Sequence, residues 1–190
     1  RGLAGTKVLF NGIEAFLTYA SSGQINALVP YGVAGYLRAE LQIEYQSLQG
    51  NSVTLPVMEA APGIFTRSGS GTGGAVVVNE DGSFNSEANP APRGSVVAFW
   101  ATGQGQTDPP GVDGRQPQPP VFPKPLLPVS VTVGGVTVPS EDVVFVGLIY
   151  AGVMQVNVKI PDAVSPGSAV ELLLTGGRSA SRKGVTLAVR

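Results

Sequence analysis

The sequence predicts an all-β chain: two tandem antiparallel β-sandwich units related by an internal repeat, with almost no helix. Three observations carry this. First, a segment occurs twice: Tyr19-Ala20, Gln24, Asn26 and Pro30 return as Tyr150-Ala151, Gln155, Asn157 and Pro161, each 131 positions further on. Further along, Val53-Thr54-Leu55-Pro56-Val57 returns as Val185-Thr186-Leu187-Ala188-Val189 at an offset of 132, a slip of one residue over a whole unit. Second, the apolar residues alternate with a period of two. Third, the breaks between the alternating runs are Asn11-Gly12, Gly35, Gly50-Asn51, Gly134-Gly135, Pro166-Gly167 and Gly176-Gly177, the residues of tight turns.

In chain order, Lys7-Val8-Leu9-Phe10 opens as a strand. From Gln24 to Val29, Ile25, Ala27 and Val29 share one face, and the repeat places Val156, Val158 and Ile160 at the same parity. From Leu37 to Tyr45, Leu37, Ala39, Leu41, Ile43 and Tyr45 alternate with Arg38, Glu40, Gln42 and Glu44, the pattern of a half-buried strand. Ala39, Leu41 and Ile43 map onto Val170, Leu172 and Leu174, so the two units are expected to bury the same faces; a slip of one residue would turn those side chains to water. Residues 1–66 therefore form a first unit and 94–190 a second. Residues 67–93, rich in Gly, Ser, Asn and Pro, form a connecting segment with a hairpin signal at Ala75-Val76-Val77-Val78-Asn79 and Glu80-Asp81-Gly82. Within the second unit, 106–128 holds eight prolines in 23 residues. Such a stretch is stiff and cannot join a central ladder, so it is expected to strap across the sandwich surface. Pro117 and Pro120 also fit the short pattern read by proline-binding domains.

Composition removes several classes of function. The chain is 43% hydrophobic and 13% charged with a net charge of −1, which leaves no basic field for nucleic acid. The longest uncharged apolar run, Val143 to Met154, has 12 residues and reads as core, well short of the roughly 20 that a membrane-spanning helix needs. With no His and no Cys there is no Ser-His-Asp or Cys-His arrangement and no zinc site of the usual ligands. No signal peptide or initiating Met is evident, so the chain is expected to be a processed or excised piece.

The ordered motifs Gly23-Gln24-Ile25-Asn26-Ala27-Leu28-Val29-Pro30-Tyr31, Ala61-Pro62-Gly63-Ile64-Phe65, Asn79-Glu80-Asp81-Gly82-Ser83, Ala101-Thr102-Gly103-Gln104-Gly105 and Met154-Gln155-Val156-Asn157-Val158 span nearly the whole chain. In this order they resemble the Solibacter-type C-terminal domain family of large secreted acidobacterial proteins. That resemblance implies an extracellular origin and an immunoglobulin-like fold, and brings no established activity with it. A second similarity is to the immunoglobulin-like domains shared by plexins and transcription factors. Gly94-Ser95-Val96-Val97-Ala98-Phe99-Trp100-Ala101-Thr102-Gly103 resembles their first strand and Val131-Thr132-Val133-Gly134-Gly135 the next. The second unit is then complete, whereas the first begins at the equivalent of the Val131 strand and lacks its opening strand. A sandwich short of one strand exposes apolar side chains and unpaired backbone groups. The expected covers are sequence outside these residues, the 75–79 segment folding back, or a strand donated by another copy.

The acidic residues give no catalytic pair. Glu40 and Glu44, four residues apart on one strand face, stand about 13 Å apart, beyond the roughly 5 to 9.5 Å of glycosidase carboxylates. The adjacent Glu141-Asp142 would point to opposite sides of a strand or sit solvated in a turn. Asn79 to Asn85 has calcium-type oxygens but no spaced acid ladder, so it reads as a turn held by Asx hydrogen bonds. Thr102-Gly103-Gln104-Gly105 lacks the helix and Lys of a phosphate cradle. For ligand binding, Tyr31 and Tyr36 flank the turn Gly32-Val33-Ala34-Gly35 as a candidate aromatic platform, and one of Phe99 and Trp100 must face outward. The sequence therefore points to a non-catalytic extracellular structural or adhesion module, a stalk, spacer or fibre subunit, with a protein partner that includes other copies of itself. The alternative is a carbohydrate-binding module with a polysaccharide partner. No cofactor and no metal are expected.

Overall fold

A computed structural model describes residues 2–190. The second unit is built around the strand Val96–Thr102, whose side chains alternate between core and surface. Val97, Phe99 and Ala101 point inward and are fully buried. On one side this strand pairs antiparallel with Val153–Lys159, which in turn pairs with Val143–Tyr150. Across the core, the facing sheet runs in the order Val136–Thr137, Val129–Val133, Gly167–Gly176, Val185–Val189 and Gly73–Gly74. Val131, Val133, Val156, Val158, Ile160, Leu172 and Leu174 from the two sheets meet in one apolar core. The abundance of valine suits this layer, because a β-branched side chain fits a pleated, half-buried surface. Two sheets packed in this way form an immunoglobulin-like sandwich.

The connecting residues 67–93, together with Gly63–Ile64 from residues 1–66, run along this second sandwich. Gly63–Ile64 and Val77–Val78 both pair with Val96–Thr102, while Gly73–Gly74 pairs in parallel with Val185–Val189. Residues 75–79, one expected cover for the first unit, are thereby used in the second. The Asn79 turn is held by Asx-type bonds: the Ser83 N–H and hydroxyl both donate to Asp81, holding its carboxyl below the usual range. Asn85 is buried and grips the last strand, its side chain accepting from the Ala188 N–H and donating to the Ala188 carbonyl, each at 2.8 Å.

The first unit repeats most of this plan. Its larger sheet, in the order Ile13–Glu14, Thr6–Phe10, Arg38–Tyr45 and Leu48–Pro56, repeats the Val136–Thr137, Val129–Val133, Gly167–Gly176 and Val185–Val189 order of the second unit. The hairpin Phe16–Ala20 and Ile25–Leu28 repeats Val143–Tyr150 and Val153–Lys159. Even a surface detail is kept, since Gln24 Nε2 donates to Asn26 Oδ1 at 2.7 Å and Gln155 Nε2 to Asn157 Oδ1 at 2.9 Å. Nothing among the described residues repeats Val96–Thr102, and Ile25–Leu28 pairs with Phe16–Ala20 alone. Val8, Phe10, Ala15, Leu17, Val33 and Ala39 form a small core beneath the hairpin.

The expectation that both units bury the same faces holds for parity and fails for depth. Leu55 is 37% exposed while its repeat Leu187 is 3% exposed, and Val53 is 49% exposed against 1% for Val185. Ile43 is 38% exposed where Leu174 is fully buried. Val96–Thr102 covers these positions in the second unit, whereas no strand among the described residues lies over their counterparts in the first. Equivalent truncations should therefore have unequal costs. Leu187→Ala should destabilise its unit by about 3 kcal/mol through lost burial and a cavity, whereas Leu55→Ala should cost about 1 kcal/mol or less, as read from denaturant unfolding curves of the two variants.

Candidate functional site

The bare side of the first unit is the largest departure from a closed fold. Its floor consists of Leu41 and Ile43 on Arg38–Tyr45 and of Val53 and Leu55 on Leu48–Pro56. In this register Leu41 lies opposite Val53 and Ala39 opposite Leu55, so all share one face. Every residue of Leu48–Pro56 is exposed, a condition unusual for a strand with this apolar alternation. One wall is the hairpin strand Ile25–Leu28, which turns Ile25 and Ala27 into the small core and leaves one of its edges unpaired. On the outer face Lys7 pairs with Glu44 at 3.3 Å, and Asn11 Oδ1 accepts from the Glu40 backbone N–H at 2.8 Å.

The opposite, outer face of the same hairpin is covered, and the proline-rich strap covers it. Residues 106–128 form a narrow ribbon in which Thr107–Asp108 pairs with Lys124–Pro125. Its base is fixed to the second unit, where the Leu148 N–H donates to the Pro123 carbonyl at 2.8 Å and Phe122 meets Phe145 edge to face at 5.9 Å between ring centres. Its tip reaches the first unit: the backbone at Gly114 lies so close to the Phe16 ring that a Cβ there would collide with it, and φ at Gly114 is +71°. Gly111 presses likewise on Tyr31. A second clamp joins the units where the Ala61 N–H donates to the Gly103 carbonyl at 2.9 Å. Gly103 has φ +77° and its backbone runs against Ala61 without room for a side chain, so the Thr102–Gly105 glycines serve this close approach.

Tyr31 is consequently a fixed residue of this junction. Asp113 Oδ1 accepts from its N–H at 2.8 Å, Gln106 Nε2 donates to its carbonyl at 3.0 Å, and Gln104 Nε2 donates to its hydroxyl oxygen at 3.3 Å. Tyr36, by contrast, is 55% exposed, so the two tyrosines sit in different environments. The aromatic surface that the structure does assemble lies on the second unit. Phe99 points inward and Trp100 outward, and Trp100 joins Phe65, Ile149, Tyr150 and Val153 around an open, mainly apolar cleft of about 410 Å³. Sequence reasoning placed one of Phe99 and Trp100 outward, yet had no signal that Phe65 and Tyr150 would meet it. A smaller cleft of about 190 Å³ lies at the junction, lined by Val57, Met58, Leu127 and Arg178 among others. Among the described residues no cluster of three or more acidic side chains offers a metal site. Among the described residues no helix is long and apolar enough to cross a membrane.

No family model matches this chain, and no curated protein does. Among solved structures, a surface glycan-binding protein, PbSGBP-B from Prevotella bryantii, superposes with a TM-score of 0.37 at 12% identity, over 94% of this chain and 32% of that one. The I9-I11 tandem of titin superposes with a TM-score of 0.30 at 16% identity, over 97% of this chain and 54% of that one. The chain thus spans about a third and about half of these two structures. Strand order and register define the fold.

Burial raises the pKa of the Tyr31 phenol above its ordinary value, with a smaller push from Asp113, while its hydrogen bonds with Gln104 and Thr107 pull the other way. A phenol whose folded pKa exceeds its unfolded one stabilises the junction fully below pH of about 10 and loses that contribution as pH rises through the folded value. The first unit should therefore loosen from the strap in alkali. Tyr31→Phe should flatten this part of the stability profile, measured as the thermal midpoint between pH 8 and 12.

Proposed function

We propose that this chain is a non-catalytic structural or adhesion module of a secreted bacterial protein, a stalk, spacer or fibre subunit whose first unit is completed by a strand from a protein partner. The observation that carries the reading is the contrast between repeats: side chains at Ile43, Val53 and Leu55 are bare where Leu174, Val185 and Leu187 are buried. Unpaired strand edges beside an apolar face drive association with other polypeptides. Support also comes from the strap and the Gly103 clamp, which tie the two units together at separate places, as a rigid spacer requires. The resemblance of the ordered motifs to the Solibacter-type domain supports an extracellular setting. Other copies of the chain are the first partner to examine. At micromolar concentrations the chain should self-associate, giving ordered polymers by light scattering and negative-stain microscopy, and the pair Val53→Lys with Leu55→Lys should return it to monomers. A chain that stays monomeric throughout would overturn the fibre-subunit reading.

A second reading, binding of a polysaccharide, is favoured by the outward Trp100 with Tyr150 and Phe65, because sugar rings stack on exposed aromatic faces. On this reading, retardation of the chain in gels containing a soluble polysaccharide should be lost in Trp100→Ala and retained in Tyr31→Phe. Absence of retardation across a panel of glucans, xylans and mannans would remove it.

A further inference from the structure

We infer that the outer face of the sheet containing Val96–Thr102 binds an uncharged polysaccharide of flat pyranose rings, which stack on Trp100, Phe65 and Tyr150 and give their hydroxyls to an amide pair, Gln155 and Asn157. The inference rests on the polysaccharide reading and specifies its ligand and its hydrogen-bonding residues. Strand register places each residue. Trp100 lies directly opposite Gln155, and Ala98 opposite Asn157, on neighbouring antiparallel strands. On the other side of Trp100, the Phe65 N–H donates to the Trp100 carbonyl at 2.9 Å, continuing the ladder in which Ile64 pairs with Ala101. Ile64, Ala101, Met154 and Val156 are buried in the core, so the alternate residues Phe65, Trp100, Gln155 and Asn157 turn outward together. Further along the same face Val153 lies opposite Tyr150, which is 58% exposed. Opposed Cβ atoms on such strands stand about 5 Å apart, which puts Trp100 and Gln155 within reach of one ligand.

The chemistry of this face narrows what fits. A pyranose whose hydroxyls are all equatorial has apolar C–H faces and a polar rim, the first matched by aromatic faces and the second by amides. Gln155 Nε2 donates to Asn157 Oδ1 at 2.9 Å, which fixes the two amides relative to each other and leaves Gln155 Oε1 to accept and Asn157 Nδ2 to donate. An acceptor beside a donor suits adjacent hydroxyls, each of which gives and takes a hydrogen bond. No charged side chain lines the cleft. At its margins, the Arg67 guanidinium lies against Gly74, and Lys159 stands four residues, about 13 Å, beyond Gln155. A carboxylated polymer therefore meets no counter-charge within the cleft. Val96–Thr102 is paired on both sides, so the cleft offers side chains and no free ladder to a peptide. The first unit supplies an internal control: Gln24 and Asn26 form the same amide pair, yet nothing among the described residues there repeats Trp100.

Trp100 is the single tryptophan of the chain, so its emission reports on this face alone. The probes are cellohexaose and xylohexaose, neutral and all-equatorial, titrated onto the full chain beside mannohexaose, with its axial hydroxyl, and the anionic polygalacturonate. The expected result is a saturable change in emission with cellohexaose or xylohexaose that added salt leaves unaltered. Gln155→Ala, and Gln155→Met, which keeps the length and removes the amide, should each weaken that binding at least about tenfold, some 1.4 kcal/mol. Gln24→Ala should leave it unchanged. Binding indifferent to both Gln155 variants, or weakened equally by Gln24→Ala, overturns the inference. A response to polygalacturonate alone, abolished by salt, overturns it as well. Binding of mannohexaose alone, lost in affinity gels of Trp100→Ala, overturns the inference and keeps the polysaccharide reading, whereas absence of binding by every polymer removes both, so the two fail separately.

Discussion

The placing of Val96–Thr102 within one sheet, its inward side chains against the facing sheet, is the interaction on which the rest of the molecule depends. This strand satisfies the edge of Val153–Lys159 and supplies pairing for Gly63–Ile64 and Val77–Val78. Its buried Phe99 fills the space between the layers. Backbone pairing and apolar burial are thus provided by the same seven residues, and neither can be lost without the other. Where the strand is present, Leu172, Leu174, Val185 and Leu187 are sealed from water. Where it is absent, the same arrangement of strands forms yet leaves its equivalent side chains in solvent.

The two units are consequently unequal in how they hold together. The second is a closed sandwich with a large core, stitched further by Asn85 to the last strand. The first has a small core under one hairpin, and the outer face of that hairpin leans on the strap. Its attachment to a stable neighbour compensates for limited burial, since a strap that is stiff before docking loses little conformational entropy on landing. The junction is built from backbone approaches at Gly103 and Gly114 and from polar contacts around Tyr31. Such contacts are directional and position the units more strictly than an apolar patch alone would.

Much of the fold was legible in the residues. The period-two alternation of Leu37 to Tyr45 and the 131-residue offset point to the strands and their inner faces, because side chains on a pleated strand alternate strictly. The segment at 63–92 was not legible, because its strands are only two residues long and take their partners from Val96–Thr102 and Val185–Val189, remote in sequence. Of Tyr31 and Tyr36 the residues show only that both flank the same turn, whereas Asp113 and Gln104, 82 and 73 positions from Tyr31, hold it at the junction.

By itself the sequence determined the all-β class, the twofold repeat, the parity of each buried face and the absence of imidazole and thiol chemistry, because these follow from residue identity and spacing. Only the tertiary structure decided which apolar faces are covered, where the strap lands, and that Trp100 meets Tyr150 and Phe65 on one surface. Parity is a local property of the backbone, fixed wherever a strand forms. Coverage depends on which distant segment comes to lie above it, and two stretches with nearly the same alternating pattern meet opposite fates when one has a strand over it and the other has none.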